Sequence, residues 1–174
     1  MTTSSRVIHV WIAGVVVILD QVVKALVRTK VQLYESVTVI PGLLDVTRVH
    51  NTGMAYGFMQ TSDFPFKTGV VALLAATALA ALAMYGSTLG RQQHISRLGL
   101  AFIMGGAAGN LIDRLTLGYV LDFVDFYRGG WHFWAFNVAD ASITLGVVLM
   151  ILDLLGFGRV IAGVNRKSAP QVER

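Results

Sequence analysis

Asp122 and Asp140 stand beside strongly apolar segments, each among amide and aromatic residues. The stretches read Gly109-Asn110-Leu111-Ile112-Asp113-Arg114, then Val120-Leu121-Asp122-Phe123, then Phe136-Asn137-Val138-Ala139-Asp140. A carboxylate at membrane depth is costly unless it is paired, hydrated or neutralised, so each is a candidate for function. Two that converge cannot both ionise cheaply. They share one proton and one water, which is the chemistry of aspartic hydrolysis. Spacing does not choose the pair, because Asp20, Asp113 and Asp125 lie near the same apolar segments.

Each polar residue also has a plainer reading. Asn137 and Asp140 are three apart at the start of an apolar run, where a carboxylate is favoured by a helix N-terminus. Asp20 and Lys24 share one helix face at a spacing of four. They form either a self-neutralising ion pair or a pair whose acid also faces the site. Asn110, Asp113 and Arg114 close another apolar run, where polar residues ordinarily trim the interface or join helices. Arg114 is placed to neutralise a neighbouring carboxylate or to hold one ionised.

Other chemistries find no support. The chain has no cysteine, which excludes thiol catalysis, disulfides and thiolate metal sites. The four histidines His9, His50, His94 and His132 are scattered, without an H-E-x-x-H pair, so neither a metal nor a cofactor is expected. Ser142 lacks a G-x-S-x-G elbow and a nearby histidine. The glycines from Gly105 to Gly109 follow no strand, so they read as a close-packing G-x-x-x-G and not as a dinucleotide loop.

The elements that must position these residues are membrane spans. Of 174 residues, 55% are hydrophobic and only 14% charged, an integral-membrane profile of one domain. About 20 apolar residues cross a bilayer. Four windows qualify: Val7 to Val27, Thr68 to Tyr85, Leu98 to Leu115 and Ala135 to Phe157. Asp20 and Lys24 interrupt the first, and no clean cleavage site follows it, so it reads as an uncleaved span.

Basic residues are denser in the short segments holding Arg6, Arg91, Arg97, Arg159, Arg166, Lys167 and Arg174 than in the opposite loops, which favours both termini in the cytoplasm. The net charge of +4 fits this bias and not a nucleic-acid surface.

The polar chemistry then lies on the outer side. Val37-Thr38-Val39-Ile40, the Pro41-Gly42 turn and the alternating Leu44 to Val49 predict a small extracytoplasmic sheet within the loop of residues 31 to 66. Met54 to Phe66 reads as an interfacial helix or loop, and Trp131, Phe133 and Trp134 as an aromatic cluster at the headgroups. The expected fold is an all-α membrane protein: a four-transmembrane-helix bundle carrying a small β-sheet.

Five blocks, in order, carry a resemblance to the lipoprotein signal peptidases, the type II signal peptidases of bacteria. They are Asp20-Gln21-Val22-Val23-Lys24, Asn51-Thr52-Gly53-Met54-Ala55-Tyr56, and the three quoted at the outset. One departure is Tyr56, where the family commonly has phenylalanine, and the position stays aromatic.

The resemblance implies an aspartic endopeptidase of the bacterial cytoplasmic membrane with its active site toward the outer face. It implies substrates that are prolipoproteins, cut before a diacylglyceryl-modified cysteine, and contact with membrane lipids and family inhibitors such as the cyclic peptide globomycin. It places the catalytic dyad at Asp122 and Asp140, and supporting, site-lining roles at Asp20, Asn51, Asn110, Arg114 and Asn137. Lys24 and Asp113 become structural polar neighbours. Asparagine amides and Arg114 are then the expected groups for orienting the peptide and stabilising an oxyanion.

Rival classes fit less well. A proton-coupled carrier needs internal repeats and broken helices, and none is evident. A non-catalytic scaffold makes the polar residues dispensable. A presenilin-type protease requires Gly-x-Gly-Asp, which is absent.

Overall fold

Each of the four apolar windows forms a helix, as expected where a backbone must satisfy its N–H and C=O groups within its own segment. The computed structural model describes residues 3–53, 66–90 and 93–157. The helices are α1 (Thr3–Lys30), α2 (Lys67–Thr88), α3 (His94–Leu117) and α4 (Val138–Leu154). Among the described residues, three segments are long and apolar enough to cross a membrane: Ile8–Lys30, Lys67–Thr88 and His94–Leu117. α4 falls inside the fourth expected window but has 17 residues.

The helices are apolar outside and polar inside. On α1, Val10, Trp11, Val15, Ile18, Leu19, Val22 and Leu26 are exposed, whereas Asp20 and Lys24 are buried. A helix dissolved in water shows the reverse pattern. α4 likewise exposes Leu145, Val148, Ile151 and Leu154. Lipid is the solvent such a surface fits.

α3 packs against all three other helices, and its glycines set how closely. A Cβ on Gly105 would meet the Ala13 carbonyl at 2.8 Å, and one on Gly109 would meet Asp20 Oδ2 at 2.6 Å. The G-x-x-x-G therefore faces α1. On the α4 side, a Cβ on Gly99 would lie 2.6 Å from the Gly146 carbonyl.

The sheet is antiparallel, with order β1-β2-β3-β4: Ser36–Ile40, Leu44–Asn51, Val120–Arg128 and Trp131–His132. β1 and β2 are the strands expected from the outer loop, joined through Gly42 at φ 77°. β3 and β4 were not expected as strands, and they enlarge the sheet beyond what the loop alone supplies. Val120-Leu121-Asp122-Phe123-Val124 is a short, almost wholly buried run with β-branched valines at both ends, and it begins directly after α3 stops at Gly118, φ 81°.

Leu121 and Phe123 on β3 pack with Val27 and Val31 at the end of α1, which fixes the sheet to the bundle. Of the interfacial segment expected at Met54 to Phe66, residues 54–65 lie outside the described residues, as does Tyr56. Phe66 precedes α2 and is exposed. Trp131, Phe133 and Trp134 are exposed, as an interfacial cluster requires. Arg91, Arg159, Arg166, Lys167 and Arg174, and the side chain of Arg6, also lie outside the described residues.

Candidate active site

Five elements bring their polar residues to one place. On α3, Asn110, Asp113 and Arg114 sit at helical spacings of three and four, so they share one side near the helix end. β3 supplies Asp122 and β2 supplies Asn51. α4 begins at Asn137, and α1 contributes Asp20, Gln21 and Lys24.

Asn137 joins the two carboxylates. It is the N-cap of α4, with Asp140 three residues on. Its Oδ1 accepts the Asp140 N–H at 2.9 Å, while its own N–H donates to Asp140 Oδ2 at 3.3 Å. This reciprocal arrangement is a capping box. The helix-start reading of Asp140 and its membership of a polar cluster are therefore both correct.

The Asn137 Nδ2 donates to Asp122 Oδ1 at 2.6 Å and also meets Asn110 Oδ1 and the Leu121 carbonyl. The Phe136 carbonyl accepts from the N–H groups of Phe123 and Val124, which lays residue 137 alongside Asp122.

The remaining carboxylate oxygens are also met by amides. Asn51 Nδ2 donates to Asp122 Oδ2 at 3.0 Å, and Asn110 Nδ2 donates to Asp140 Oδ1 at 2.8 Å. Asp122 is 3% exposed. Burial, and then the neighbouring charge of Asp140, push its pKa up to about 7 against the pull of Asn51, Asn137 and Lys24. A carboxyl so placed keeps its proton to near neutrality.

Asp20, expected to line the site, lies behind it. It is fully buried, its Oδ1 accepts the Ala139 N–H at 2.9 Å, and its Oδ2 meets Lys24 at 2.8 Å. Lys24 also reaches Asp113 and Asn110, each at 2.9 Å, so the expected ion pair is a branched network. Asp113 accepts the Leu121 N–H at 3.2 Å and ties α3 to β3.

Arg114 forms no ion pair with an acid among the described residues. It donates to the Gly53 carbonyl at 3.0 Å and to the Asn110 carbonyl at 3.3 Å. Gly53 is held from its other side by Asn51 Oδ1 at 2.9 Å. Arg114 thus anchors the chain leaving β2.

Gln21, beside Asp20 on α1, joins the same branched network. Its Nε2 meets Asp113 at 2.9 Å, and Asp20 and the Gly109 carbonyl at 3.2 Å. An amide flanking an intramembrane acid was the available signal. His50 stacks on Tyr119 at 3.6 Å. Burial, and then Arg48, hold its pKa below the usual value.

The model of the family described as signal peptidase (SPase) II matches residues 12–156. The chain belongs to the signal peptidase II family. The family's function, removal of signal peptides from prolipoproteins, is that of a protease. The lipoprotein signal peptidase of Maridesulfovibrio salexigens is 43% identical over 82% of this chain and 91% of its own length. That of Geobacter sulfurreducens is 39% identical over 89% and 95%. A bacterial membrane enzyme solved by the in meso method at 2.3 Å is 32% identical, with a TM-score of 0.71 over 95% of this chain and 94% of its own. Signal peptidase II membership and this structural likeness together establish a membrane enzyme.

Proposed function

We propose that this signal peptidase is an aspartic endopeptidase whose dyad is Asp122 and Asp140. It cuts prolipoproteins before their diacylglyceryl-modified cysteine. The observation that carries the reading is the double hold of Asn137, which bonds Asp122 through its side chain and Asp140 through its backbone.

A pair held this way keeps one proton near neutral pH, and the pKa of Asp122 near 7 supports that. The ionised member takes a proton from a water, whose oxygen attacks the scissile carbonyl carbon. The protonated member donates to the carbonyl oxygen. In the second step the carboxyl that took the water's proton passes it to the departing amide nitrogen as the C–N bond breaks, and the other carboxylate takes a proton from a hydroxyl of the tetrahedral intermediate, so the pair again holds one proton.

The neighbouring side chains divide the supporting work. The amides of Asn51, Asn110 and Asn137 point their N–H groups at carboxylates, so they hold the pair. Among the described residues Arg114 is bonded to backbone carbonyls and to no carboxylate. It serves to orient the peptide or meet developing negative charge. Asp20 supports the start of α4 from behind.

Four spans complete the reading. α4 at 17 residues is about 26 Å long, close to a hydrocarbon core of about 30 Å. Both termini are then cytoplasmic, and the sheet and dyad face outward in the cytoplasmic membrane of a bacterium. Acyl chains of the substrate and of membrane lipids lie against the exposed apolar helix faces, and a cyclic-peptide inhibitor such as globomycin would occupy the dyad.

The test is cleavage of a diacylglyceryl-modified peptide by detergent-purified protein. Asp122→Asn and Asp140→Asn should each lower kcat by several orders of magnitude, since the two act as a unit. Near-parental cleavage by either variant refutes the dyad.

A further inference from the structure

We propose that Lys24 is a positioning residue: its ammonium fixes the rotation of the Asn110 amide so that the N–H side faces Asp140. The inference rests on the reading of Asp140 as catalytic. Lys24 is 4% exposed, and its Nζ has three acceptors: Asp20 Oδ2 at 2.8 Å, Asp113 Oδ2 at 2.9 Å and Asn110 Oδ1 at 2.9 Å. An ammonium has three protons, so none is left for substrate or water. The two aspartates already more than balance the ammonium's charge. The third bond, to a neutral amide, has a different consequence.

An asparagine amide can take two orientations that differ by half a turn. Here Asn110 Oδ1 faces two donors, Lys24 Nζ and Asn137 Nδ2 at 3.2 Å, and Nδ2 faces Asp140 Oδ1 at 2.8 Å. The flipped amide would set N–H against the ammonium and carbonyl against carboxylate, losing both strong bonds to like-on-like contacts. The Asn137 amide is fixed in the same sense by a separate device, the Asp140 N–H bonding its Oδ1.

Helix α1 therefore reaches Asp140 by two routes from adjacent turns. Lys24 orients the amide on its side chain, and Asp20 Oδ1 holds the Ala139 N–H one residue before it. Loss of Lys24 removes the stronger of the two donors to Asn110 Oδ1 and leaves only the Asn137 amide at 3.2 Å opposing the flipped orientation, whose carbonyl matches only a protonated Asp140.

The experiment is a double-mutant cycle in full-length detergent-purified protein, assayed on the lipidated peptide. Lys24→Met should lower kcat by about 10- to 100-fold with KM little changed. In an Asn110→Ala background the same substitution should change kcat by less than about twofold, because the group it acts through is gone. Melting temperature is followed in parallel.

If Lys24→Met does not yield folded protein, K24M/D113N compared with D113N, with and without N110A, makes the same comparison with the buried charge balanced. An unchanged kcat, or an equal fold-loss in both backgrounds, overturns the inference. Cleavage by Asp140→Asn would instead overturn the dyad, so the two failures are distinct.

Discussion

If Asp122 and Asp140 form the proposed dyad, Asn51 should set the pH at which activity is lost. Its Nδ2 donates to Asp122 Oδ2 at 3.0 Å, a bond that favours the ionised carboxylate and opposes the upward push of burial and of Asp140. Asn51→Leu removes the donor while keeping comparable volume, so water does not take its place. A hydrogen bond to a charged group contributes about 1.5–3 kcal/mol. At 1.36 kcal/mol per pKa unit, losing it raises the acid's pKa by about one to two.

The sign follows from linkage. Asp122 holds its proton in the folded protein up to about 7, where the unfolded chain has released it near 3.8. Its contribution to stability is therefore greatest below that lower value and falls as pH rises through about 7. The same ionisation removes the single proton of the pair. The alkaline limb of kcat/KM, which reports the free enzyme, should stand near pH 7 in the parent. It should move up by about one to two pH units in Asn51→Leu. The assay is initial-rate cleavage of the lipidated peptide from pH 5 to 10. A limb that stays in place or moves down refutes the role of Asn51 and the assignment of the limb to Asp122.

Two further predictions concern the frame around the site. Gly109→Ala sets a Cβ 2.6 Å from Asp20 Oδ2 and displaces the acid that holds Lys24 and the Ala139 N–H. It should cost about 1–3 kcal/mol of stability, read as a lower denaturation midpoint in detergent, and parental stability refutes it. At the other end of α3 the Gln93 side chain makes no cap bond and instead accepts the Gly90 N–H at 2.7 Å, whereas Asp153 of α4 accepts the Ser96 N–H at 3.2 Å as well as the Ser96 hydroxyl. Asp153→Ala should cost about 0.5–2 kcal/mol with cleavage unchanged at low temperature. A large loss of kcat without loss of stability would contradict this.

The helices were legible because a bilayer imposes length and apolarity on a continuous segment, and α1, α2 and α3 follow the hydropathy windows to within a few residues. The Pro41-Gly42 turn and the strands around it were legible from local turn chemistry. Roles that depend on contacts across the fold were not. Arg114 was expected to meet a carboxylate, a reasonable inference from charge alone, yet it meets the Gly53 carbonyl. Which group a guanidinium reaches depends on how β2 leaves the sheet, and no local pattern encodes that.

The least legible feature is also the one that makes the site. β2 and β3 pair in one register at Leu44↔Phe126 and Val46↔Val124, then slip by a residue and resume at Val49↔Asp122 and Asn51↔Val120. Side chains alternate between faces, so a slip of one exchanges every later residue of β2 between the two faces. Without it, Arg48 would stand opposite Asp122, and Arg48 and His50 would share the face of that carboxylate. A guanidinium there would hold Asp122 ionised through neutrality, and the pair would keep no proton to donate. With it, Asn51 turns its amide to Asp122, while Arg48 turns away and donates to the Arg28 and Val31 carbonyls at the end of α1. Residue types on β2 are compatible with either outcome, and one irregular residue pair decides whether Asp122 faces an amide or a guanidinium.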